Sequence, residues 1–344
     1  MIKFFTPEPL QSFDIVPQFF FKFAPERALS GLFADRNAYS FFSKQEYVDV
    51  PEKADAILLP NNFTSLNNSA QAYIARYADI SEHSGKPLYL FSLGDYTDIL
   101  RFDPRATVFR HSLYGATRTS QDVSVPTITQ DLGNKEIPLR SKQEKPTVSF
   151  VGRADFDSFR EKVASHVRRI KYSFLRIFNM AQYARIRGIF WRKWMMRACK
   201  NSPYVTTRFI VRKTFSGAMR TIEVSPETAR KDFLESITES DFVLAPKGDG
   251  NYSNRFLEAL SLSRIPVLID TDTVLPFAEE IDYEKIIVRI PMNDVQNTPK
   301  YIWEFYNALS EEEWKTRQQL ARKIYLQYLF QDAFWERFFA SLSS

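Results

Sequence analysis

The sequence predicts an α/β fold of two Rossmann-like domains, and three features predict it. Short apolar runs suited to buried parallel strands alternate with segments of helical period. At 344 residues the chain exceeds one comfortable core, so two domains are expected. A polar, proline-punctuated stretch at residues 133–146 reads as the linker between them.

In the first half, residues 56–59 and 88–92 read as buried strands with a helix over 69–82 between them, a βαβ unit. Residues 148–152 open a second strand series that continues through 205–211, 242–244, 267–270 and 286–290. The expected domains are therefore 1–140 and 146–310, with residues 311–344 forming helices that pack back toward the first domain. Hydrophobic residues at 44% and charged residues at 25% argue against disorder. Lys3, Pro7, Glu8 and Pro9 break the first ten residues and no long apolar run follows, so neither a leader nor a spanning segment is expected. The single cysteine, Cys199, rules out an intrachain disulfide and has no activating neighbours, so it reads as inert.

The densest chemistry lies in residues 241–277, which read as strand, polar glycine loop, helix and strand. Residues 242–244 suit a buried strand, and residues 246–252 supply Lys247, Gly248 and Gly250 in a turn-forming context. Ser253 reads as a helix N-cap. The free N–H groups of the next turn, the helix dipole, Lys247 and Arg255 would then converge on a place for a phosphate. Arg255 and Glu258 share one helix face, while Phe256, Ala259 and Leu260 cover the face toward the sheet. A guanidinium suits a diphosphate and a carboxylate suits a ribose diol; the alternative is a surface ion pair worth a few tenths of a kcal/mol.

In order and spacing this segment resembles the C-terminal signature of exostosin-like glycosyltransferases. The matching residues are Phe242, Pro246, Lys247, Gly248, Ser253, Arg255, Glu258 and Ala259, then Ile265-Pro266-Val267 and Leu275-Pro276-Phe277. Residues 145–153, KPTVSFVGR, look like the family's strand ending in Gly-Arg, and residues 55–60 and 85–100 are similar to strands of its N-terminal half. Two positions depart: Ala245 stands where a cysteine is usual, and Arg264 where a small residue is usual. The resemblance implies the GT-B architecture, with the two domains facing across a cleft. It also implies inverting transfer of a sugar from a nucleotide sugar, UDP- or GDP-linked, to a glycan acceptor, with no cofactor beyond the donor. Lys247, Gly248, Ser253 and Arg255 would meet the diphosphate with help from Arg153, Glu258 would hold the ribose, and Asp270 would read donor-sugar hydroxyls. Animal and plant relatives are typically anchored in Golgi membranes, so a bare chain resembles a bacterial or viral member, cytoplasmic or peripheral on the inner face of the membrane.

An inverting transfer wants a base on the first domain's side of the cleft. Asp95, after the strand at 88–92 and beside Gly94, is the leading candidate, and His111, after a strand at 108–110, is the second. His83, His111 and His166 are isolated, and Asp95, Asp98 and Asp103 lack an Asp-x-Asp arrangement, so no metal is expected.

Residues 160–200 hold twelve Lys or Arg against one acid, Glu161, a surplus of eleven in a chain of net charge +5. The basicity is therefore local. Val163, Val167, Ile170, Phe174, Ile177 and Ala181 recur every three or four residues, which predicts an amphipathic helix with a basic outer face. Residues 186–196, IRGIFWRKWMM, interleave aromatics with arginines. They read either as a buried helix with solvated charges or, with the rest of the stretch from Arg160 to Lys200, as a peripheral contact with an anionic membrane or lipid-linked acceptor. No nucleic-acid module accompanies the charge, so nucleic acid is not an expected partner. The competing function is a non-catalytic basic adaptor that binds membrane or polyanion through residues 160–200.

Overall fold

The alternation of strand and helix builds two separate parallel sheets in the computed structural model, which describes residues 1–27, 40–96, 100–133, 137–156, 158–212 and 225–342. The first sheet contains β1 (Lys3–Phe5), β2 (Glu46–Tyr47), β3 (Ala56–Asn62), β4 (Leu88–Ser92), β5 (Ala106–Arg110) and β6 (Asp122–Ser124). Its order is β2-β1-β3-β4-β5-β6, with every pair parallel. The second contains β7 (Thr147–Arg153), β8 (Thr206–Arg212), β9 (Phe242–Leu244), β10 (Ile265–Asp270) and β11 (Val288–Pro291), in the order β11-β10-β9-β7-β8, again all parallel. Two Rossmann-like domains of this kind are the GT-B fold class expected from the sequence.

The first domain carries two short helices, α1 (Phe20–Phe23) and α2 (Ser40–Ser43), and the long α3 (Asn68–Ser84). Asn67 caps α3 by accepting from the Ala70 N–H, and Gly85, at φ 68°, ends it in the left-handed region. The second domain carries α4 (Phe159–Leu175), α5 (Gly188–Lys200), α6 (Pro226–Thr238), α7 (Asn254–Ser261) and α8 (Thr298–Asn307). Then α9 (Glu311–Ile324) starts on a Ser310/Glu313 capping box and buries Trp314 in the second domain's core. The last helix, α10 (Gln331–Phe338), crosses to the first domain, where Trp335 meets Phe42 at 5.1 Å and Phe109 at 4.9 Å between ring centroids.

The two halves of the basic stretch fold in opposite ways. Residues 186–196 are not an interface-lying segment: Trp191, Met195 and Cys199 are fully buried, with Ile189 and Phe190 beside them in the core under the second sheet. Burial pushes the Cys199 thiol up to about 12, which fits an inert residue. The helix expected around Val163 exists as α4, but its apolar positions face outward together with its charges. Arg264, one of the two departures from the family pattern, is fully buried; its guanidinium donates to the carbonyls of Thr238 (2.6 Å) and Pro138 (3.1 Å). It pins the inter-domain connection to the second domain and lines neither of the cavities described below. Residues 134–136 of the expected linker, and Asp98, lie outside the described residues.

Topology fixes where a ligand can sit. In the second sheet the chain leaves β7 toward β8 on one side and leaves β9 toward β10 on the other, so the connections diverge between β7 and β9. A crevice opens at the carboxyl ends of such strands. Arg153 ends β7 and the glycine loop follows β9; across the cleft, the loops after β4 and β5 carry Asp95 and His111.

Candidate active site

Helix α7 begins immediately after the glycine loop, with Ser253 at its N-cap position. The Ser253 hydroxyl makes no capping bond, a departure from the expected cap, and Ser253 lines the cleft with Asn254 and Arg255 of the first turn, while the Phe256 N–H donates to the Ser253 carbonyl at 3.1 Å. Arg255 lies one residue into the helix. Its guanidinium donates to the Val151 carbonyl of β7 (2.6 and 3.0 Å) and stacks over Phe150 at 4.7 Å. Gly152 makes this possible: its φ is +141°, and a Cβ there would lie 2.2 Å from the Arg255 guanidinium.

Around that helix start, a cavity of about 360 Å³ is lined by Arg153, Arg187, Arg192 and Arg255 of the second domain and by Asp95 of the first. Arg153 and Arg187 share the Glu161 carboxylate at 2.9–3.0 Å, and Arg187 also grips Asp249 at 3.1 and 3.2 Å. Burial pushes the Asp249 carboxyl up, but the hydrogen bonds and charge of Arg187 hold it below the usual carboxylate range. Arg192 is less satisfied. One of its terminal nitrogens donates to the Arg153 carbonyl at 3.2 Å, while its Nε is buried with no partner among the described residues. Burial, together with the neighbouring charges of Arg255, Arg153 and Arg187, lowers its guanidinium to about 10. An under-paired cation among other cations at a helix N-terminus has the physical character that suits an anion.

Glu258 sits one turn deeper, buried, and its carboxylate makes no hydrogen bond or ion pair to Arg255 or any other described residue. The surface ion pair weighed as an alternative for Arg255 and Glu258 is therefore not formed. Burial raises the Glu258 carboxyl to about 7, against the opposing charge of Arg255.

Lys247 departs from the expected direct phosphate contact. Its ammonium is buried and donates to Tyr114 Oη (2.8 Å) and the Ala184 carbonyl (3.0 Å). Burial lowers it to about 7, with Arg185 adding to the effect of burial and Asp249 and Asp95 opposing it. The loop itself is a clasp between domains. Gly250 N–H donates to Asp95 (3.1 Å), Asn251 N–H to Ser112 Oγ (2.7 Å), and the Asn251 amide to the Leu113 carbonyl (2.8 Å). Gly248 N–H closes the loop onto the Tyr252 carbonyl at 2.8 Å.

Of the two base candidates, Asp95 lines the arginine cavity and His111 does not. His111 lines a smaller cavity of about 50 Å³ with Lys247, Tyr252, Ser253 and Arg289. Its Nδ1 accepts from the Gly94 N–H at 3.3 Å, which assigns the proton to Nε2, and Nε2 is buried without a partner among the described residues. Burial lowers the ring to about 4. His111 is thus neutral, with Nδ1 already accepting from Gly94. Asp270 is exposed at the end of β10, 3.8 Å from Arg289, and with Glu258 it lines neither cavity.

Sequence reading missed Arg187, Arg192, Asp249 and Tyr252. Both arginines stood in the basic aromatic stretch, where Gly188 was the available cue: a Cβ there would lie 2.1 Å from the Lys247 carbonyl oxygen and 2.3 Å from that of Gly248. The start of α5 has to touch the glycine loop, and this contact brings its arginines into the cleft.

The profile of the exostosin GT47 domain matches residues 105–305, more than half of the chain. The chain belongs to this family. The exostosin match takes in all of the second sheet, β5, β6 and His111, but not Asp95. The exostosin-1 homolog of Caenorhabditis elegans is 32% identical over 103 residues, which are 30% of this chain and 26% of that protein. Exostosin-1 of Drosophila melanogaster is 31% identical over 120 residues, 35% of this chain and 14% of the relative. The matches thus span about a quarter or less of the lengths of these exostosins. Among solved structures, a lipopolysaccharide outer core galactosyltransferase aligns over 99% of this chain and 100% of its own, at 11% identity and a TM-score of 0.41.

Proposed function

We propose that this exostosin-family chain is an inverting, metal-independent glycosyltransferase that moves a sugar from a nucleoside diphosphate donor, UDP- or GDP-linked, to a glycan acceptor. The observation that carries this reading is the cavity at the start of α7, where Arg153, Arg187, Arg192 and Arg255 converge and Arg192 keeps a buried, unpartnered nitrogen.

In this reading the acceptor oxygen attacks the sugar's anomeric carbon on the face opposite the diphosphate. The carbon–oxygen bond to the diphosphate breaks, and its electron pair leaves on the phosphate oxygen. Arg192, Arg255 and the first-turn N–H groups of α7 stabilise that developing charge, the task a divalent cation performs in metal-dependent transferases. Asp95 takes the acceptor proton from the first domain's side. His111 serves as a hydrogen-bond donor, Glu258 accepts from the ribose diol, and Asp270 reads the sugar at the end of β10. Lys247 acts indirectly, by tying the loop to Tyr114. The acceptor is lipid-linked, and the chain works peripherally at the cytoplasmic face of a membrane.

A thermal-shift series with uridine, guanosine, cytidine and thymidine diphosphates tests the reading. At a concentration about a hundred times the dissociation constant, the correct nucleotide adds roughly 2.7 kcal/mol of stability. Arg255→Ala and Glu258→Ala should each weaken that shift and slow sugar transfer. No shift with any nucleotide, or unchanged affinity and transfer in both variants, contradicts it.

A further inference from the structure

Helix α4 is mounted inside out. Its inner side is mostly polar: Ser165 is buried, and Glu161 and Ser165 both accept from Arg187 at 2.9 Å. His166 meets Phe190 at 5.1 Å and Arg169 lies over the same ring at 5.3 Å. At about 100° per residue, Val163, Val167, Ile170 and Phe174 occupy the opposite side, with Phe159 before them and Ile177 and Phe178 after. These residues are 45–80% exposed. A contiguous apolar stripe of this kind on a water-facing helix marks a surface that something covers.

The charges beside the stripe identify what covers it. Arg160, Lys162, Arg168, Lys171 and Arg176 are all exposed on the same helix and its cap, while its only acid, Glu161, is turned inward and consumed by Arg153 and Arg187. Arg197 adds an exposed cation next to Arg176, in a cavity that both line. An apolar stripe edged by cations, with no free acid among the described residues of the helix, complements the boundary between acyl chains and anionic headgroups. Among the described residues no helix is long and apolar enough to cross a membrane, so contact through α4 would be in the plane of the surface.

We propose that α4 lies flat on an anionic lipid bilayer, inserting Val167, Ile170, Phe174 and Phe178 between headgroups while its lysines and arginines meet the phosphates. The inference deepens the proposed peripheral, lipid-linked reading and rests on that reading for its purpose. It also narrows the expected contact from the whole of residues 160–200 to α4.

Co-sedimentation of the full chain with vesicles of 70% phosphatidylcholine and 30% phosphatidylglycerol tests it. The protein should pellet with these vesicles and stay in the supernatant with pure phosphatidylcholine. The triple variant Val167→Glu, Ile170→Glu, Phe174→Glu should lose about a hundredfold or more in partitioning. Lys171→Gln should lose about fivefold, and raised salt should weaken the wild-type protein. Melting temperature, nucleotide-induced shift and transfer to a soluble acceptor should stay at wild-type values in the triple variant, which separates this inference from the proposed chemistry. Wild-type protein that ignores anionic vesicles overturns the proposal, as does a triple variant that still pellets. A dimer in sedimentation equilibrium that the triple variant dissolves also overturns it, because a second copy would then be the covering partner.

Discussion

Helices α4 and α5 are built from nearly the same ingredients, arginines and lysines interleaved with large apolar residues, yet they face opposite ways. In α5, Trp191 and Met195 enter the core and Arg192 turns toward the cleft. In α4, Ser165 is buried and Phe174 is outside. The difference comes from what holds each helix. Gly188 lets α5 close against the Lys247–Gly248 backbone, which forces its apolar side onto the sheet. By contrast α4 is tethered by Arg187, through Glu161 and Ser165, so its polar side is the bound one. A basic aromatic composition therefore does not say which face is occupied; the residue that anchors the helix does.

Substitutions can break that contrast, beginning with the largest effect. Trp191→Ala should cost about 3–5 kcal/mol in chemical denaturation, because it empties a fully buried indole site. A loss below about 1 kcal/mol would mean that α5 is not core. Arg192→Ala should weaken nucleoside diphosphate binding by about 30- to 1000-fold in calorimetry while leaving the melting temperature equal or higher, since it removes a crowded, under-paired cation.

Glu258 gives the buried side a pH signature that the exposed face of α4 lacks. Its carboxyl is raised in the fold from the ordinary 4.5 to about 7, so between those values the folded state holds a proton that the unfolded state has lost. Its contribution to stability therefore falls as pH rises from about 4.5 to 7, by roughly 3 kcal/mol in all. Comparing urea midpoints of wild type and Glu258→Gln at pH 5 and pH 8 should show this slope only in wild type. Carboxylate-accepted ribose hydroxyls favour the ionised form, so nucleotide affinity should also rise through about pH 7 in wild type relative to the glutamine variant. Smallest of all, Val167→Ala on the outer face of α4 should change stability by less than about 0.5 kcal/mol in solution.

The strand series and the glycine-loop helix were legible because local period and turn chemistry encode them: β9 spans the residues read as a strand, and α7 starts after Ser253. Partners distant in sequence were not legible. Tyr114 lies 133 residues before Lys247 and takes the ammonium that reading along the chain assigns to phosphate. Arg264 likewise departs from a motif by reaching Pro138, 126 residues away, to fix the connection between domains. The role of Arg192 and the orientation of α4 escaped for one reason: hydrophobic period locates a helix face but not the body that the face meets.

A structure with the best-binding nucleoside diphosphate bound tests the central claim most directly. The account predicts the diphosphate at the start of α7, within hydrogen-bond distance of Arg192 and the first-turn N–H groups, with the ribose toward Glu258. A nucleotide seated elsewhere, with the four-arginine cavity left to water, would contradict it.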